Sequence, residues 1–253
     1  MRLLAWDTAT RSTVVALLEV AAPATARPSQ ADRVLELRDD PPAGARPRHT
    51  ELVLAFAARA LADANTGWEG IDRLAVGVGP GTFTGVRIGV AAARALAGAR
   101  RIPLVGVSTL RSLASGAARV HESDAGVVAV IDARRGEAFA AAWRGSDAGL
   151  GAAPVLGPAA LAPAELERSV RALGDGWLAV GEGAVLFRER LEAAGARVPA
   201  DGDPAHLVCA AEHCRLALLE APRRPEDVLP DYVRAPDARP SVAGRPLGAG
   251  ALP

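Results

Sequence analysis

The apolar positions of this chain fall into two repeating arrangements. Leu3 to Trp6 is a continuous apolar run closed by Asp7, and Thr13 to Val20 is a second, rich in β-branched and aliphatic residues. Both predict short buried strands, and the polar stretch from Asp7 to Ser12 predicts a hairpin between them. Arg33 to Arg38 alternates like a third strand. From His49 onward, Leu52, Val53, Phe56, Ala60, Leu61 and Ala64 recur at helical spacing. Glu51 lies in that helix's first turn, where an acid suits the helix dipole. Ile71 to Val78 predicts a strand, and Gly79 to Gly85 a glycine-rich turn. Val86 to about Ala99 predicts a helix whose inner face is Val86, Gly89, Val90, Ala93 and Ala97. Small residues on such a face allow a second helix to approach closely.

The second half repeats this order. After a strand at Ile102 to Val107, Ser108 is placed to cap a helix reaching Arg119. Val127 to Ile131 predicts a buried strand that ends in Asp132 and a polar turn, and Ala138 to Trp143 returns as its partner. Apolar strand, Asp, polar turn and returning strand is also the order of Leu3 to Val20. The repeat suggests a duplicated domain. Further helices are expected near Pro163 to Leu173, Ala184 to Ala194 and Pro204 to Leu219, with a strand at Trp177 to Val180. Residues 21–32 predict an exposed loop, and the Pro-, Gly- and Ala-rich residues 235–253 a disordered tail.

Composition narrows the chemistry. Half of the 253 residues are hydrophobic but aromatics are only 4%, so the core is built from small side chains. The 29 basic and 29 acidic residues cancel, and every basic side chain in that count is Arg. Without Lys there is no Schiff-base chemistry and no Walker A phosphate loop. A neutral chain is also a poor candidate for coating nucleic acid unaided. Cys209 and Cys214 are too close together for a disulfide framework, which points to a reducing compartment. The N-terminus meets Asp7 before any signal-length apolar core, and no apolar run reaches spanning length, so a cytoplasmic protein without membrane contact is expected.

Several motifs admit a chemical and a structural reading. The turn from Gly79 to Gly85 opens a helix, as a phosphate-binding turn does, and a tight strand-to-helix connection serves equally well. Asp7 and Thr8 have the groups to sit beside a metal-bound phosphate, or simply to bond their own backbone in a hairpin. His49 has the chemistry of a ligand, but a lone His at a helix start more often caps or faces solvent. His206, Cys209 and His213 recur at i, i+3 and i+7, but a single helix spreads them over about 10 Å, too far for one zinc ion. Ser108 lacks the second Gly of a nucleophile elbow.

The segments Leu4 to Thr10, His49 to Glu51, Val76 to Gly89, Ile102 to Ser108, Asp132 to Glu137 and Pro230 to Arg234 together resemble the TsaB (YeaZ) family. That family is a non-catalytic paralogue of the transferase TsaD. The resemblance implies an α/β protein of the duplicated actin-like ATPase fold (ASKHA, ribonuclease H-like), with two mixed-sheet domains flanked by helices. It divides the chain into an N-terminal domain, 1–107, a C-terminal domain, 108–234, and the tail. It implies a scaffold or activating subunit for threonylcarbamoyl modification of adenosine 37 in tRNA, pairing with TsaD and with the small ATPase TsaE. A homodimer is the alternative state when the partner is absent, and tRNA is reached through the complex. No catalytic residue, metal or cofactor of its own is implied, ATP belonging to the assembled complex.

TsaD carries a metal-binding His-x-x-x-His after the strand equivalent to Ile102 to Val107. Thr109 and Leu113 fall at those positions here, and neither replaces imidazole at a transition metal. The family's pairing surface maps onto the first two helices, giving His49, Leu52, Val53, Phe56, Ala60, Phe83, Thr84, Val86, Arg87, Gly89, Val90 and Ala93 as candidates. A charge at Val90 or Phe56 is accordingly expected to weaken pairing. Asp7, Thr8, Gly79 and Gly81 are the candidates for a vestigial nucleotide site. The alternatives are an independent actin-like ATPase or small-molecule kinase, for which Gly181-Glu182-Gly183 is a weak adenosine loop, and a metallopeptidase, which the missing His pair opposes.

Overall fold

The computed structural model describes residues 1–21, 32–42, 44–123, 125–145, 147 and 152–234. The expected loop over residues 21–32 lies outside them except at its two ends, and the expected tail lies wholly outside them. Strand β1 (Arg2–Asp7) pairs antiparallel with β2 (Thr13–Glu19), and β2 with β3 (Arg33–Asp39). On its other side β1 runs parallel to β4 (Arg73–Gly79), which runs parallel to β5 (Leu104–Ser108). The order is β3-β2-β1-β4-β5. Both faces are covered, which is why β1 is apolar throughout rather than alternating. Leu4 and Trp6 meet Val53 and Ala57 of α1 (His49–Asp63) and Val86, Val90 and Ala93 of α2 (Phe83–Arg100). Leu3 and Ala5 face the opposite way, in one core with Ala210, Cys214 and Ala217.

A second sheet repeats this plan. Strand β6 (Val127–Arg134) pairs antiparallel with β7 (Glu137–Trp143), β7 with β8 (Leu156–Leu161), and β6 runs parallel to β9 (Leu178–Val180). The order β8-β7-β6-β9 matches β3-β2-β1-β4 of the first sheet. Helix α3 (Thr109–Val120) covers one face, and its Leu110, Leu113, Ala114 and Ala117 share a core with Ile131 and Phe139. Helices α4 (Pro163–Leu173), α5 (Glu182–Leu186) and α6 (Arg188–Ala193) lie on the other. The repeated strand order is the duplication that the sequence repeat suggests, in the actin-like fold that the family resemblance implies.

The structure departs from the sequence expectations in three places. Strand β8 has no counterpart among them, because Gly157 and Pro158 interrupt its pattern; an edge strand tolerates a Pro that a central strand would not. The helix expected over Pro204 to Leu219 is a 3-10 turn at Pro204–His206, three extended residues, and α7 (Ala210–Leu219). The one expected over Ala184 to Ala194 is split at Phe187 into α5 and α6.

The C-terminal elements pack on the first sheet. Helix α7 lies on the first sheet, Arg223 bridges to Leu104, and Val228 belongs to the first lobe's core. The chain thus crosses to the second lobe and comes back, so the first lobe is assembled from both ends of the sequence.

Candidate functional site

The C-terminal ends of β1, β4 and β5 meet the second lobe, and the polar residues of the motifs gather there. Asp7 ends β1 with 1% of its surface exposed. Its Oδ1 accepts from the Ala9 amide (2.6 Å) and its Oδ2 from Thr109 Oγ1 (2.7 Å). His213 of α7 is fully buried, with Nε2 2.9 Å from Asp7 Oδ2, somewhat off the axis of an ideal hydrogen bond. Its Nδ1 lies 2.9 Å from Ser112 Oγ and 3.1 Å from the Cys209 carbonyl oxygen. Burial by itself disfavours imidazolium at His213, but the Asp7 carboxylate and the Cys209 carbonyl outweigh it and hold the ring above its ordinary range.

This network explains two residues of the motifs. Gly77 passes so close to Asp7 that a Cβ there would overlap the carboxylate. Thr109 is not an open position after β5, since its hydroxyl is committed to Asp7, while Leu113 is buried in the second core.

The glycine turn is a tight connection. Thr82 donates its amide to the Ala9 carbonyl (2.7 Å), and a Cβ on Gly81 would overlap that carbonyl. Thr8 is fully buried and donates its hydroxyl to the Gly85 carbonyl (2.7 Å). The second lobe repeats the device, a Cβ on Gly181 overlapping the Val130 carbonyl. Close backbone packing thus accounts for these glycines. Of the four residues assigned to a vestigial nucleotide site, Asp7 and Thr8 are buried with their polar atoms engaged, Gly79 is buried, and Gly81 alone borders open space.

The side chains of His206, Cys209 and His213 do not converge on one point. His206 Nδ1 accepts from the Gly181 amide (3.1 Å), and Cys209 Sγ donates to Glu36 Oε2 (3.0 Å). Among the described residues no group of three or more His, Cys, Asp or Glu is placed to hold a metal ion.

The candidates on α1 and α2 divide by burial. Val53, Ala60, Val86, Gly89, Val90 and Ala93 face their own sheet, and Val90 is only 2% exposed. His49 is buried too, its Nδ1 2.9 Å from Thr13 Oγ1; burial pushes its titration down, against the pull of Asp7. Leu52 and Phe56 are half-buried, and Phe83, Thr84 and Arg87 are exposed. The helical stripe singled out in the sequence is therefore mainly the core stripe, and a charge at Val90 tests folding rather than pairing. The outward stripe was missed. It runs Glu51, Ala55, Ala58, Ala62 on α1 and Thr84, Arg87, Ala91, Ala95 on α2, with Leu54 beside it at 46% exposure. Helical phase was the signal that finds it, because the core set fixes the opposite face.

A profile of the family described as "TsaD: tRNA N6-adenosine threonylcarbamoyltransferase" matches residues 41–169, half of the chain. Over 135 residues the chain is 37% identical to the tRNA threonylcarbamoyladenosine biosynthesis protein TsaB of Escherichia coli (strain K12), covering 53% of this chain and 58% of that protein. The Haemophilus influenzae protein of the same description is 35% identical over 139 residues, covering 55% and 52%. The matched segment thus spans little more than half the length of these curated relatives. Among solved structures, YeaZ from Pseudomonas aeruginosa superposes with a TM-score of 0.70 at 28% identity, covering 91% of this chain and 99% of that one. The chain belongs to the TsaB (YeaZ) family. Its buried Asp7 and its exposed alanine stripes are therefore features of a TsaB-family chain. No helix among the described residues is long and apolar enough to cross a membrane.

Proposed function

We propose that this TsaB-family chain is a non-catalytic subunit of a cytoplasmic machinery that forms threonylcarbamoyladenosine in tRNA. In this reading it pairs through α1 and α2 with a TsaD-type transferase, and TsaE joins the pair. The observation that carries it is the outward alanine stripe on two adjacent helices, Ala55, Ala58 and Ala62 beside Ala91 and Ala95. Alanines there let the helices of a partner approach closely, while the same helices hold the sheet with their inner faces. The interior at Asp7 supports the non-catalytic part. Its carboxylate is spent on Thr109 and His213 and has almost no exposure to a substrate. Nucleotide turnover and tRNA contact then belong to the assembled complex.

The test is reconstitution. The isolated chain should show no sustained ATP hydrolysis, and adding it to TsaD, TsaE and the threonylcarbamoyl-adenylate supply should restore tRNA modification. Sustained turnover by the isolated chain would favour the independent ATPase or kinase instead.

A further inference from the structure

A cavity of about 630 Å³ lies between the lobes and has no role in the function just proposed. Three separate segments wall it: the glycine turn with the start of α2, the β6–β7 hairpin, and the strap 231–234. The strap is fastened to both lobes. The Asp231 amide donates to the Val78 carbonyl (2.7 Å) on the first lobe, and Val233 packs against the core of the second.

The lining is unusual for this chain. Only four Phe and one Tyr occur in 253 residues, yet Phe83, Phe139 and Tyr232 all face this one cavity. Phe83 is 56% exposed and Tyr232 45%, with their rings 5.8 Å apart. Four guanidiniums join them, against two carboxylates, on a chain of zero net charge. Arg87 stacks 3.4 Å over the Phe83 ring and donates Nε to Tyr232 Oη (2.6 Å). Arg234 lies 5.7 Å from the Phe139 ring, bonded to the Ala133 carbonyl and paired with Glu137. Arg134 and Arg135 both hold positive φ (63° and 57°) at the hairpin tip, a conformation that side-chain-bearing residues rarely adopt, and Asp132 secures it by accepting from the Arg134 amide (2.7 Å).

These side chains are fixed before any ligand arrives, which suits a site more than a casual surface. Aromatic faces and stacked guanidiniums receive a planar ring, and with Glu137 counted beside Arg234 an excess of one positive charge receives a carboxylate. A polyphosphate backbone would need a larger basic surface. We infer that the cavity binds a peptide segment of a partner protein in which an aromatic side chain has a carboxylate beside it. The choice of a protein as the source rests on the pairing surface proposed above, which begins at Arg87 on the cavity wall; the ring-and-carboxylate chemistry does not.

The probe is N-acetyl-Glu-Trp-Glu-amide, titrated into the full chain and followed by amide NMR shifts. The Glu-Ala-Glu and Lys-Trp-Lys analogues and an oligoadenylate serve as comparisons. Saturable shifts at the amides of Gly81, Phe83 and Arg134 to Gly136 are expected at millimolar concentration or below, with at least about tenfold weaker binding of each comparison. Phe83→Leu and Arg87→Gln should each weaken binding about fivefold or more while the remaining spectrum stays unchanged. No saturable shift, equal binding of Glu-Ala-Glu or oligoadenylate, or full affinity in both variants would overturn the inference. If the peptide binds but the transferase does not pair, this site stands and the pairing reading fails.

Discussion

The carboxylate of Asp7 and the imidazole of His213 lie 2.9 Å apart, one at the end of the first strand and the other on the last helix, and both are buried. Their contact ties α7 to the first sheet, and Thr109 and Ser112 bring the second lobe's α3 into the same network. Asp7 thus joins the end of the first strand to both α3 and α7.

Removing one partner should show this. His213→Ala leaves Asp7 buried beside a cavity and is expected to destabilise the fold by about 3–5 kcal/mol. Urea unfolding measures it. A variant as stable as the parent would mean that the pair contributes nothing.

The same pair sets a pH dependence. His213 titrates above its unfolded value because Asp7 and the Cys209 carbonyl overcome its burial. Its contribution is therefore complete below the unfolded imidazole value, about 6.5, and is lost as pH rises through the higher folded value. The gap in urea midpoint between the parent and His213→Gln should narrow as pH rises above about 6.5.

Glycines separate close packing from mere tolerance. Gly77→Ala drives a methyl into the Asp7 carboxylate and should cost about 1–3 kcal/mol or more. Gly98→Ala, on the exposed side of α2 with nothing within 4 Å of the added carbon, should instead stabilise by about 0.5–1 kcal/mol. Thermal unfolding of the two variants should move in opposite directions.

Neither cysteine is a reactive thiol. Burial and the nearby Glu36 push Cys209 up to about 12, and burial pushes Cys214 up as well. Iodoacetamide at mildly alkaline pH should leave both unmodified in the folded protein and alkylate both in urea, as intact mass will report.

Much of this was legible in the chain. The runs at β1, β2, β6 and β7 carried the repeat, and the Ser108 cap holds, its hydroxyl accepting from the Arg111 amide. Other features had no local signal. Nothing near Asp7 announces His213, because the two meet only after α7 has folded back across the first sheet. The stripe on α1 and α2 was readable, but these helices carry small or apolar residues on two sides. Periodicity finds the stronger side, which here is Val53, Val86 and Val90 against the core. The weaker side is alanine, whose small methyl barely registers in a pattern.

The proposed pairing of α1 and α2 with a transferase runs through that alanine stripe. Size-exclusion chromatography with light scattering, on the chain mixed with the TsaD-type transferase of the same organism, tests it most directly. The expected result is a one-to-one complex at micromolar concentration that Ala58→Glu or Ala91→Glu abolishes without lowering the melting temperature. No complex between two folded proteins, or a complex that both variants leave intact, would contradict it.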